Sequence, residues 1–478
     1  MSRGLMWFRE DLRVQDNTAL SAARHENDEV LAIYLIDRAM WRKHDIASCR
    51  VEFILRNLAA LKTELEQKNI RLLIVEFQDS TQTIAIFDKI ITKYKIDTLY
   101  FNNQYELDEA ARDKEVKAKL KINVIDYADQ VIFAHKELLT LNRTPYTIFT
   151  PYKNSFIKAI IQRGSIKPLK TIKACHTLLP EVKATKDWQE QAIILHNIGP
   201  KALDGFTSSI PETYWPGSEK HAHARLQQFI KNKICSYQTE RDYPAQKATS
   251  KLSAYLANGV LSSRQCFAAA IRANQGKLQG GNPNIDCWIS ELIWREFYKQ
   301  ILANFPRISK HQAFKLETEK WPWRHDVTLL TAWQQGKTGY PLIDAAMRQL
   351  QQTGWMHNRL RMVVAMFLTK DCFIDWRLGE KYFMQQLVDG DLAANNGGWQ
   401  WAASTGCDAA PYFRVFNPIR QSERFDPEGT FIKTYCPELK DVPIKLLHDP
   451  FKLPLLADYP PPIVDCRQTR AFLKKTLG

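Results

Sequence analysis

The first third of the chain alternates apolar runs with amphipathic ones, and this alternation restricts the possible folds more than any other feature. Apolar runs predict strands at LMWFRED, at VLAIYLI (30–36), at IRLLIVEF (70–77) and at TLYFNN. Segments with helical periodicity, such as VEFILRNLAALKTELEQKN, separate these runs. Strands that alternate with helices indicate a parallel sheet covered on both faces. We therefore expect a doubly wound α/β domain that ends near residue 135.

Glycine is missing from almost all of this domain. No glycine occurs between Gly4 and Gly164. The glycine-rich turns with which Rossmann folds and P-loops hold a diphosphate are therefore excluded here. If the protein uses a dinucleotide, the second domain must bind it.

The remaining residues indicate a connector and a helical domain. The connector is punctuated by Pro, Lys and Thr with weak periodicity, as in a segment that wraps between domains. From AHARLQQFI onward the pattern is helical almost to residue 388, with breaks at KTGYP and QQTGW. The predicted architecture is an N-terminal doubly wound parallel-sheet domain (1–135), an interdomain connector (136–217) and an all-α domain (218–478).

The chain is basic, with a formal net charge of +14 and 45% hydrophobic residues over 478 positions. This balance favours a polyanionic partner, nucleic acid first and an anionic membrane surface second. Nine cysteines stand singly, without a CxxC pair or zinc spacing, so we predict no metal site and a reducing, cytoplasmic compartment. No run of about 18 apolar residues occurs, which predicts no membrane span.

Tryptophan is concentrated in one part of the helical domain. Nine of the 13 tryptophans lie between Trp288 and Trp401. Large aromatic side chains usually fill cores, and a helical core explains most of them. Indole is also readily oxidised and stacks on planar ligands and nucleobases, so the density leaves a ligand site open as a second interpretation.

One helix in this region carries candidate ligand-binding residues. In IDCWISELIWREFYKQ, Glu291, Trp294, Arg295 and Tyr298 share one helix face, with Trp288 a turn earlier. A Glu with an Arg four residues later is also typical of a simple helix salt bridge. The flanking aromatic residues favour a planar, hydrogen-bonding ligand such as a nucleobase.

The stretch GWMHNRLRM lies near the start of a predicted helix. Asn358 and Met362 are four residues apart and share a face, whereas Arg359 points elsewhere. Solvated charge explains the arginines in the simplest interpretation. The functional interpretation assigns Asn358 and Met362 to a ligand wall and Arg359 to a phosphate.

Two polar segments complete the candidate site. Thr249, Ser250 and Ser253 offer three hydroxyls at a predicted helix start, more than one N-cap requires, which favours a phosphate site. The segment DGDLAANNGGWQWAAS (389–404) has no periodic pattern, and we interpret it as a functional loop. Its acids and amides can form hydrogen bonds with the donors and acceptors of an isoalloxazine ring, and its glycines permit close approach of the backbone to that ring.

Long motifs resemble the cryptochrome/photolyase family, and within it the bacterial class I cyclobutane pyrimidine dimer photolyases. They are ELIWREFY (291–298), WQQGKTGYPLIDAAMRQLQQTGWMHNRLRM (333–362) and DGDLAANNGGWQWAASTGCDAAPYFRVFNP (389–418). The N-terminal WFREDLRVQDN agrees with them. The resemblance extends over essentially the whole chain.

The resemblance implies light-driven repair of cyclobutane pyrimidine dimers by electron transfer from reduced, anionic FAD. The flavin pocket it implies comprises Tyr237, Thr249, Ser250, Lys251, Leu252, Ser253, Trp288, Arg361, Asp389, Asp391 and Asn395. Asn395 would face the flavin N5, and Arg361 would pair with Asp389. A tryptophan chain that carries electrons from the surface to oxidised flavin would consist of Trp399, Trp376 and Trp323.

The resemblance also implies a lesion pocket, into which the damaged bases are flipped out of double- or single-stranded DNA. Photolyases as a class flip their target out of the stack, because its reacting atoms are out of reach inside a duplex. The pocket's catalytic residues would be Glu291, Trp294, Asn358, Met362 and Trp401. Glu291 would hydrogen-bond the base edge and stabilise the radical anion. The implied DNA contacts are Arg241, Arg295, Tyr298, Arg359, Arg414 and Gln421.

An antenna chromophore is implied as well, usually 5,10-methenyltetrahydrofolate between the domains. Its expected neighbours are His44, Asp108, Glu109 and Lys310. Asp108 and Ser309 stand where the family pattern has Asn and Cys. A deazaflavin antenna, or none, is the alternative.

Three other functions compete with dimer repair. One is a cryptochrome photoreceptor, a class that usually carries a long C-terminal extension. Another is a (6-4) photoproduct enzyme, which would be expected to place more histidines near His357 than this sequence has. A basic helical nucleic-acid-binding protein without cofactor would explain the charge and the aromatic residues, but not DGDLAANNGGWQW. The absence of coiled-coil heptads favours a monomer.

Overall fold

A six-stranded sheet organises the N-terminal part of the computed structural model, which describes residues 1–77, 80–181, 192–196, 199 and 203–477. The strands are β1 (Arg3–Phe8), β2 (Glu29–Asp37), β3 (Arg71–Phe77), β4 (Thr98–Asn102), β5 (Asn123–Tyr127) and β6 (Ala192–Ile194). Their order is β5-β4-β1-β2-β3-β6. The first five strands run parallel, and β6 pairs antiparallel with β3.

Helices cover both faces of this sheet. They are α1 (Thr18–Glu26), α2 (Arg38–Lys43), α3 (Ser48–Glu66), α4 (Thr83–Tyr94) and α5 (Leu107–Lys119). The continuous apolar runs of β1 and β3 are buried along almost their whole length, as a sheet covered on both sides requires. The predicted doubly wound α/β class is confirmed.

Two strands differ from the prediction. The half-buried β5 was not predicted, because its sequence NVIDY has no continuous apolar run. The three residues of β6 lie inside the predicted connector and extend the sheet at its edge. A strand this short adopts its conformation by pairing with β3, so its own residues carry little signal.

The rest of the chain is helical, as predicted. Its α-helices are α6 (Phe149–Arg163), α7 (Glu219–Asn232), α8 (Tyr237–Glu240), α9 (Ser253–Ala257), α10 (Ser263–Ala273), α11 (Pro283–Asn304), α12 (Val327–Gln334), α13 (Pro341–Thr353), α14 (Asn358–Met366), α15 (Trp376–Gln386), α16 (Leu392–Ala403), α17 (Pro418–Phe425), α18 (Thr430–Tyr435), α19 (Ile444–Leu447) and α20 (Thr469–Leu477). Among the helices in these described ranges, none is long and apolar enough to cross a membrane.

The segment 389–404, interpreted above as a loop, is mostly helix. Only Asp389, Gly390 and Asp391 form a turn, and α16 follows directly. Asp391 is the N-cap, since its carboxylate accepts from the Ala394 N–H at 2.9 Å. The alanines favour helix, and the paired glycines lie inside it. Gly397 is needed there because a Cβ would come within 2.3 Å of the Tyr298 ring.

The sheet and the helical part share one hydrophobic core. Phe53 of α3 packs edge-to-face on Tyr255 of α9, with 5.3 Å between ring centroids. Gly259 has a φ of +62°, and a Cβ there would lie 2.0 Å from the Glu10 carbonyl oxygen. The backbones of the two parts are therefore in direct contact, as they would be inside a single domain.

A buried ion network crosses the same boundary. Asp129 of the sheet domain pairs with Arg13 and, at 2.6 Å, with Arg264 of α10. Arg264 also lies 3.0 Å from Asp16. Burial raises the pKa of Asp129, but Arg13 and Arg264 outweigh it and hold that pKa well below its usual range.

Candidate active site

The turn before α16 holds two aspartates, and each of them pairs with a different cation. Asp389 accepts from Arg361 Nη2, with 2.8 and 3.0 Å to its two oxygens, while Arg361 Nε donates to the Met356 carbonyl. Asp391 lies 2.9 Å from the Lys299 ammonium. Burial alone raises the pKa of Asp391, but the Lys299 charge lowers it to about 2. Both aspartates are thus fixed in place by cations.

Lys299 connects this turn to the sheet domain. Its side chain is 1% exposed and also lies 3.2 Å from Glu106. The sequence analysis missed this lysine, although it stands on α11, one residue after Tyr298. A lysine on a helix normally faces solvent, so only the assembled fold reveals that Lys299 is an internal counter-ion.

The other end of α11 carries an acid at the surface of the site. Glu291 lies 2.6 Å from Arg241, and its side chain is 31% exposed. The neighbouring Arg359 lies 2.6 Å from Asp242. These four residues form a partly exposed cluster of alternating charge, which we call the charged rim. Two of them, Arg241 and Arg359, were predicted DNA contacts.

Three aromatic rings stack behind the charged rim. Trp294 lies on Phe149, with 3.6 Å between centroids and 6° between planes. The Tyr298 ring stacks on the Trp294 ring, with 5.5 Å between centroids and 28° between planes. The Phe149 N–H donates to Asp408 Oδ2 at 3.1 Å, which anchors the stack to the segment after α16. Phe149 was not predicted, because its connector sequence shows no periodicity that points to a site.

The predicted wall residues Asn358, Met362 and Trp401 lie on two helices, α14 and α16, that contact each other. Asn358 is exposed at the first turn of α14, and Met362 is half-buried one turn later. Trp401 is half-buried and faces Phe416 at 6.4 Å between centroids. His357, the N-cap of α14, accepts from the Arg359 N–H at 3.2 Å, and burial lowers its pKa to about 4. The imidazole beside Asn358 is therefore uncharged at neutral pH.

A basic cavity of about 320 Å³ lies at the predicted phosphate site. It is lined by Thr249, Ser250 and Lys251 together with Arg225, Lys233 and Lys247. Burial lowers the pKa of Lys251, and the nearby cations lower it further. No ion pair joins these cations to a carboxylate within the described part of the chain. An anion would relieve this repulsion.

The helix start predicted to attract that anion contributes little in the structure. The helix at Ser253, α9, is only five residues long, so its dipole is small. The cationic side chains therefore dominate over the helix start. Ser253 accepts from Trp355 Nε1 at 3.3 Å, and the Ser250 hydroxyl accepts from the Leu252 N–H at 3.4 Å.

Aromatic packing supports the inner wall. Trp288 contacts Phe229 at 5.0 Å, and Phe229 contacts Tyr237 at 5.7 Å. The Arg241 guanidinium lies over Tyr237 at 5.2 Å. The wall thus ends directly beneath the ion pair of Arg241 and Glu291.

The three predicted electron carriers belong to one hydrophobic cluster of the helical part. Gly379 of α15 touches Trp399 so closely that a Cβ would lie 2.2 Å from the indole. Trp376 is fully buried three residues earlier on α15. Trp323, which is 9% exposed, packs on Phe373 at 5.0 Å, just before α15. Asn395 of α16 donates from its side-chain amide to the Glu380 carbonyl of α15 at 2.9 Å.

A second cavity, of about 460 Å³, lies between the sheet and the helical part. His44 Nε2 is 2.9 Å from Asp108, and its Nδ1 is 3.2 Å from Glu109. Burial opposes the imidazole charge, but Glu109 and Asp108 raise the pKa of His44 to about 9. Ser309 and Lys310 line the same cavity. All of the predicted antenna residues therefore meet there.

The predicted DNA contacts do not all lie together. Arg295 points toward the sheet domain and donates to the Gln130 carbonyl at 2.6 Å and the Ser263 hydroxyl at 2.9 Å. Tyr298 belongs to the aromatic stack. Arg414 is exposed, and Gln421 is half-buried on α17.

Comparison with known proteins gives the family. The family described as "DNA photolyase" matches residues 4–171, and the "FAD binding domain of DNA photolyase" matches residues 288–477. The Escherichia coli K12 deoxyribodipyrimidine photo-lyase is 44% identical over 98% of this chain and 97% of its own length. The chain belongs to the DNA photolyase family.

Solved structures agree with this membership in the photolyase family. A bacterial class III photolyase from Agrobacterium tumefaciens superposes with a TM-score of 0.84 and 32% identity, covering 100% of this chain and 98% of its own. An archaeal photolyase from Sulfolobus tokodaii, described with two FAD molecules, gives 0.80 and 30%, with 99% coverage of both chains. The family match assigns FAD binding to the helical part.

The residues present fit FAD. The basic cavity supplies cations that lack acidic partners, as a diphosphate requires. Asn396 Nδ2 on α16 is buried without a hydrogen-bond partner among the described residues. A polar ligand next to α16 would satisfy it.

Proposed function

We propose that this protein repairs cyclobutane pyrimidine dimers in DNA by light-driven electron transfer. One observation carries the proposal: α11 presents Glu291 at the charged rim and, two turns later, Lys299 to Asp391 in the interior. A single rigid helix therefore joins a base-binding carboxylate to the acids that would hold the flavin. A full-length relative at 44% identity bears the name of this activity.

The flavin end of the site would be held by residues of opposite charge. Asp389 with Arg361 and Asp391 with Lys299 would present fixed acceptors to the ring, and Asn395 would face its N5. The basic cavity would take the diphosphate. Bound FAD in its fully reduced form supplies, after absorbing light, the electron that opens the cyclobutane ring and takes that electron back afterwards.

The lesion end would be built by the charged rim and the aromatic stack. Glu291, held in place by Arg241, would accept a hydrogen bond from the imide N–H of a flipped base. Arg241 keeps the charge of the pair balanced while electron density builds on the bases. Trp294, Trp401 and Met362 would form apolar walls that exclude water.

The DNA backbone would be gripped by the basic side chains that remain accessible. Arg359 lies at the charged rim, and Arg414 is exposed on the segment that follows α16. Asn358 would complete the polar edge. Arg295 is engaged between the domains, so we propose that its part is to hold α11 rather than to contact phosphate. The monomeric state and the cytoplasmic location stay predictions.

The test uses purified protein reduced under anaerobic conditions. It is mixed with an ultraviolet-damaged thymine oligonucleotide and illuminated with near-ultraviolet and blue light, and recovery of thymine absorbance is followed against a dark control. Glu291→Ala should abolish most of the recovery while FAD stays bound. Glu115→Ala, on an exposed ion pair with Lys119, is the matched control and should repair normally.

Two outcomes would contradict the proposal. Photoreducible bound flavin without recovery on any dimer would indicate a photoreceptor of the cryptochrome type. Recovery only with (6-4) photoproducts would indicate the other repair reaction.

We also propose that the cavity of about 460 Å³ binds 5,10-methenyltetrahydrofolate as an antenna. Glu109 Oε2 and Ser309 Oγ are buried without a partner within the described residues, and they suit the amino and ring N–H groups of a pterin. Glu109→Gln should weaken folate binding measured by fluorescence, with Glu115→Gln as the control. Tight binding of a deazaflavin or a second flavin instead would overturn the folate assignment.

A further inference from the structure

A fourth tryptophan adjoins the outer end of the predicted electron chain. The Trp321 ring contacts the Trp323 ring edge-to-face, with 5.6 Å between centroids and 60° between planes. Trp323 is only 9% exposed, whereas Trp321 is half-buried and lies nearer the surface. The backbone keeps the two rings together, since the Trp323 N–H donates to the Trp321 carbonyl at 2.9 Å.

We propose that Trp321 is the terminal electron donor of this chain, one step beyond Trp323. This inference rests on the proposed function, in which Trp399, Trp376 and Trp323 carry electrons to photoexcited oxidised flavin. Trp323 would regain an electron from Trp321, so the electron vacancy ends on Trp321. An external thiol or similar one-electron reductant then restores Trp321.

Access to water is the physical reason for this last step. The indole N–H of Trp321 donates to no acceptor among the described residues and is not among their buried unpartnered atoms, so it reaches solvent. One-electron oxidation makes the indole N–H far more acidic than in the neutral ring, so the oxidised Trp321 loses this proton to water at neutral pH. Loss of the proton leaves a neutral radical, which prevents the electron from returning along the chain.

A buried lysine beneath the ring bears on the same step. The Lys370 Nζ lies 5.3 Å from the Trp321 centroid and donates to the Ala403 carbonyl and the Ser404 hydroxyl, both at 2.9 Å. Its charge disfavours a cation on Trp321 and therefore favours the deprotonated radical. Burial, with a smaller effect of Lys315, lowers the pKa of Lys370 to about 7, so the opposing charge is only partly present at neutral pH.

The experiment is transient absorption of the holoprotein with oxidised FAD after a blue flash. In the wild type, the long-lived tryptophan radical should be the deprotonated form. In Trp321→Phe the vacancy should stop on Trp323, with at least a tenfold shorter radical lifetime and slower reduction of the flavin by external thiol. Tyr435→Phe, which changes a half-buried oxidisable ring packed on Phe431 in the helical part and away from both cavities, is the control and should leave both readouts unchanged.

Two further measurements separate this inference from the proposed function. Trp399→Phe should abolish photoreduction, and if it does not, the whole predicted chain is wrong. If Trp399→Phe abolishes it while Trp321→Phe matches the wild type in radical lifetime and in reduction rate, only the role of Trp321 is overturned. Dimer repair by chemically reduced Trp321→Phe should equal that of the wild type, because repair does not use the chain.

Discussion

Asp129→Asn should destabilise the protein because it leaves two cations buried without their counter-ion. The Asp129 side chain is 0% exposed, and it accepts from Arg13, from Arg264 at 2.6 Å and from the Thr18 hydroxyl at 2.6 Å. Removing one partner of a buried ion pair costs about 3–5 kcal/mol. The amide keeps the shape of the carboxylate, so the loss is electrostatic rather than steric.

The expected shift in melting temperature follows from chain length. With about 2.1 cal/mol/K of unfolding entropy per residue, the whole chain has about 1 kcal/mol/K. A loss of about 3–5 kcal/mol then lowers Tm by roughly 3–5 °C when the domains unfold together. Differential scanning calorimetry of the FAD-loaded protein measures this shift. Asp126→Asn is the control, since Asp126 forms a partly exposed pair with Lys117 and should cost below about 1 kcal/mol.

The pH dependence provides an independent check. Since the folded-state pKa of Asp129 is depressed, its contribution is complete above the ordinary aspartate pKa of about 3.9 and is lost as pH falls through the folded-state value. The difference in Tm between wild type and Asp129→Asn should therefore be the same at about pH 5 and about pH 8. Equal Tm values for the two variants Asp129→Asn and Asp126→Asn would refute the reasoning.

Three other substitutions test single contacts. Gly379→Ala places a Cβ 2.2 Å from the Trp399 indole, so it should lower the free energy of unfolding by about 1–3 kcal/mol and slow photoreduction of the flavin. Gly398→Ala, with open space around it, is the control and should change neither. Equal photoreduction rates in the two variants would contradict this. Gly259→Ala meets the Glu10 carbonyl at a φ of +62° and should lower Tm and loosen the domain boundary to proteolysis; an unchanged digestion pattern would count against it. Asp391→Asn leaves Lys299 without a major counter-ion and should lower FAD retention in gel filtration; full retention would argue that Asp391 does not hold the flavin.

The strongest predictions from sequence came from patterns with one physical explanation. Continuous apolar runs separated by amphipathic ones predicted the parallel sheet, because only strands buried on both faces need them. The predicted break at QQTGW is present, and Gly354 ends α13 there in the left-handed conformation with a φ of +65°. The family resemblance brought the candidate residues together before the structure was known.

Predictions were weaker where a residue's environment depends on a distant segment. Segment 389–404 was interpreted as a loop because it has no periodic pattern, but most of it is α16, and Gly397 there packs against Tyr298. Arg295 was grouped with Glu291 and Trp294 by helical spacing. That spacing shows which side chains share a face, but not which neighbour covers each part of that face.

The sequence by itself determined the first four strands of the parallel sheet with their intervening helices, the exclusion of a glycine-rich dinucleotide turn, and the family, since these depend on local pattern and on long motifs. Only the tertiary structure decided that Lys299 is an internal counter-ion, that Phe149 backs Trp294, and that Trp321 meets Trp323. The physical reason is the sequence separation over which each interaction acts. Periodicity and capping act within a few residues, whereas burial, charge pairing and ring contact arise between segments that the fold brings together.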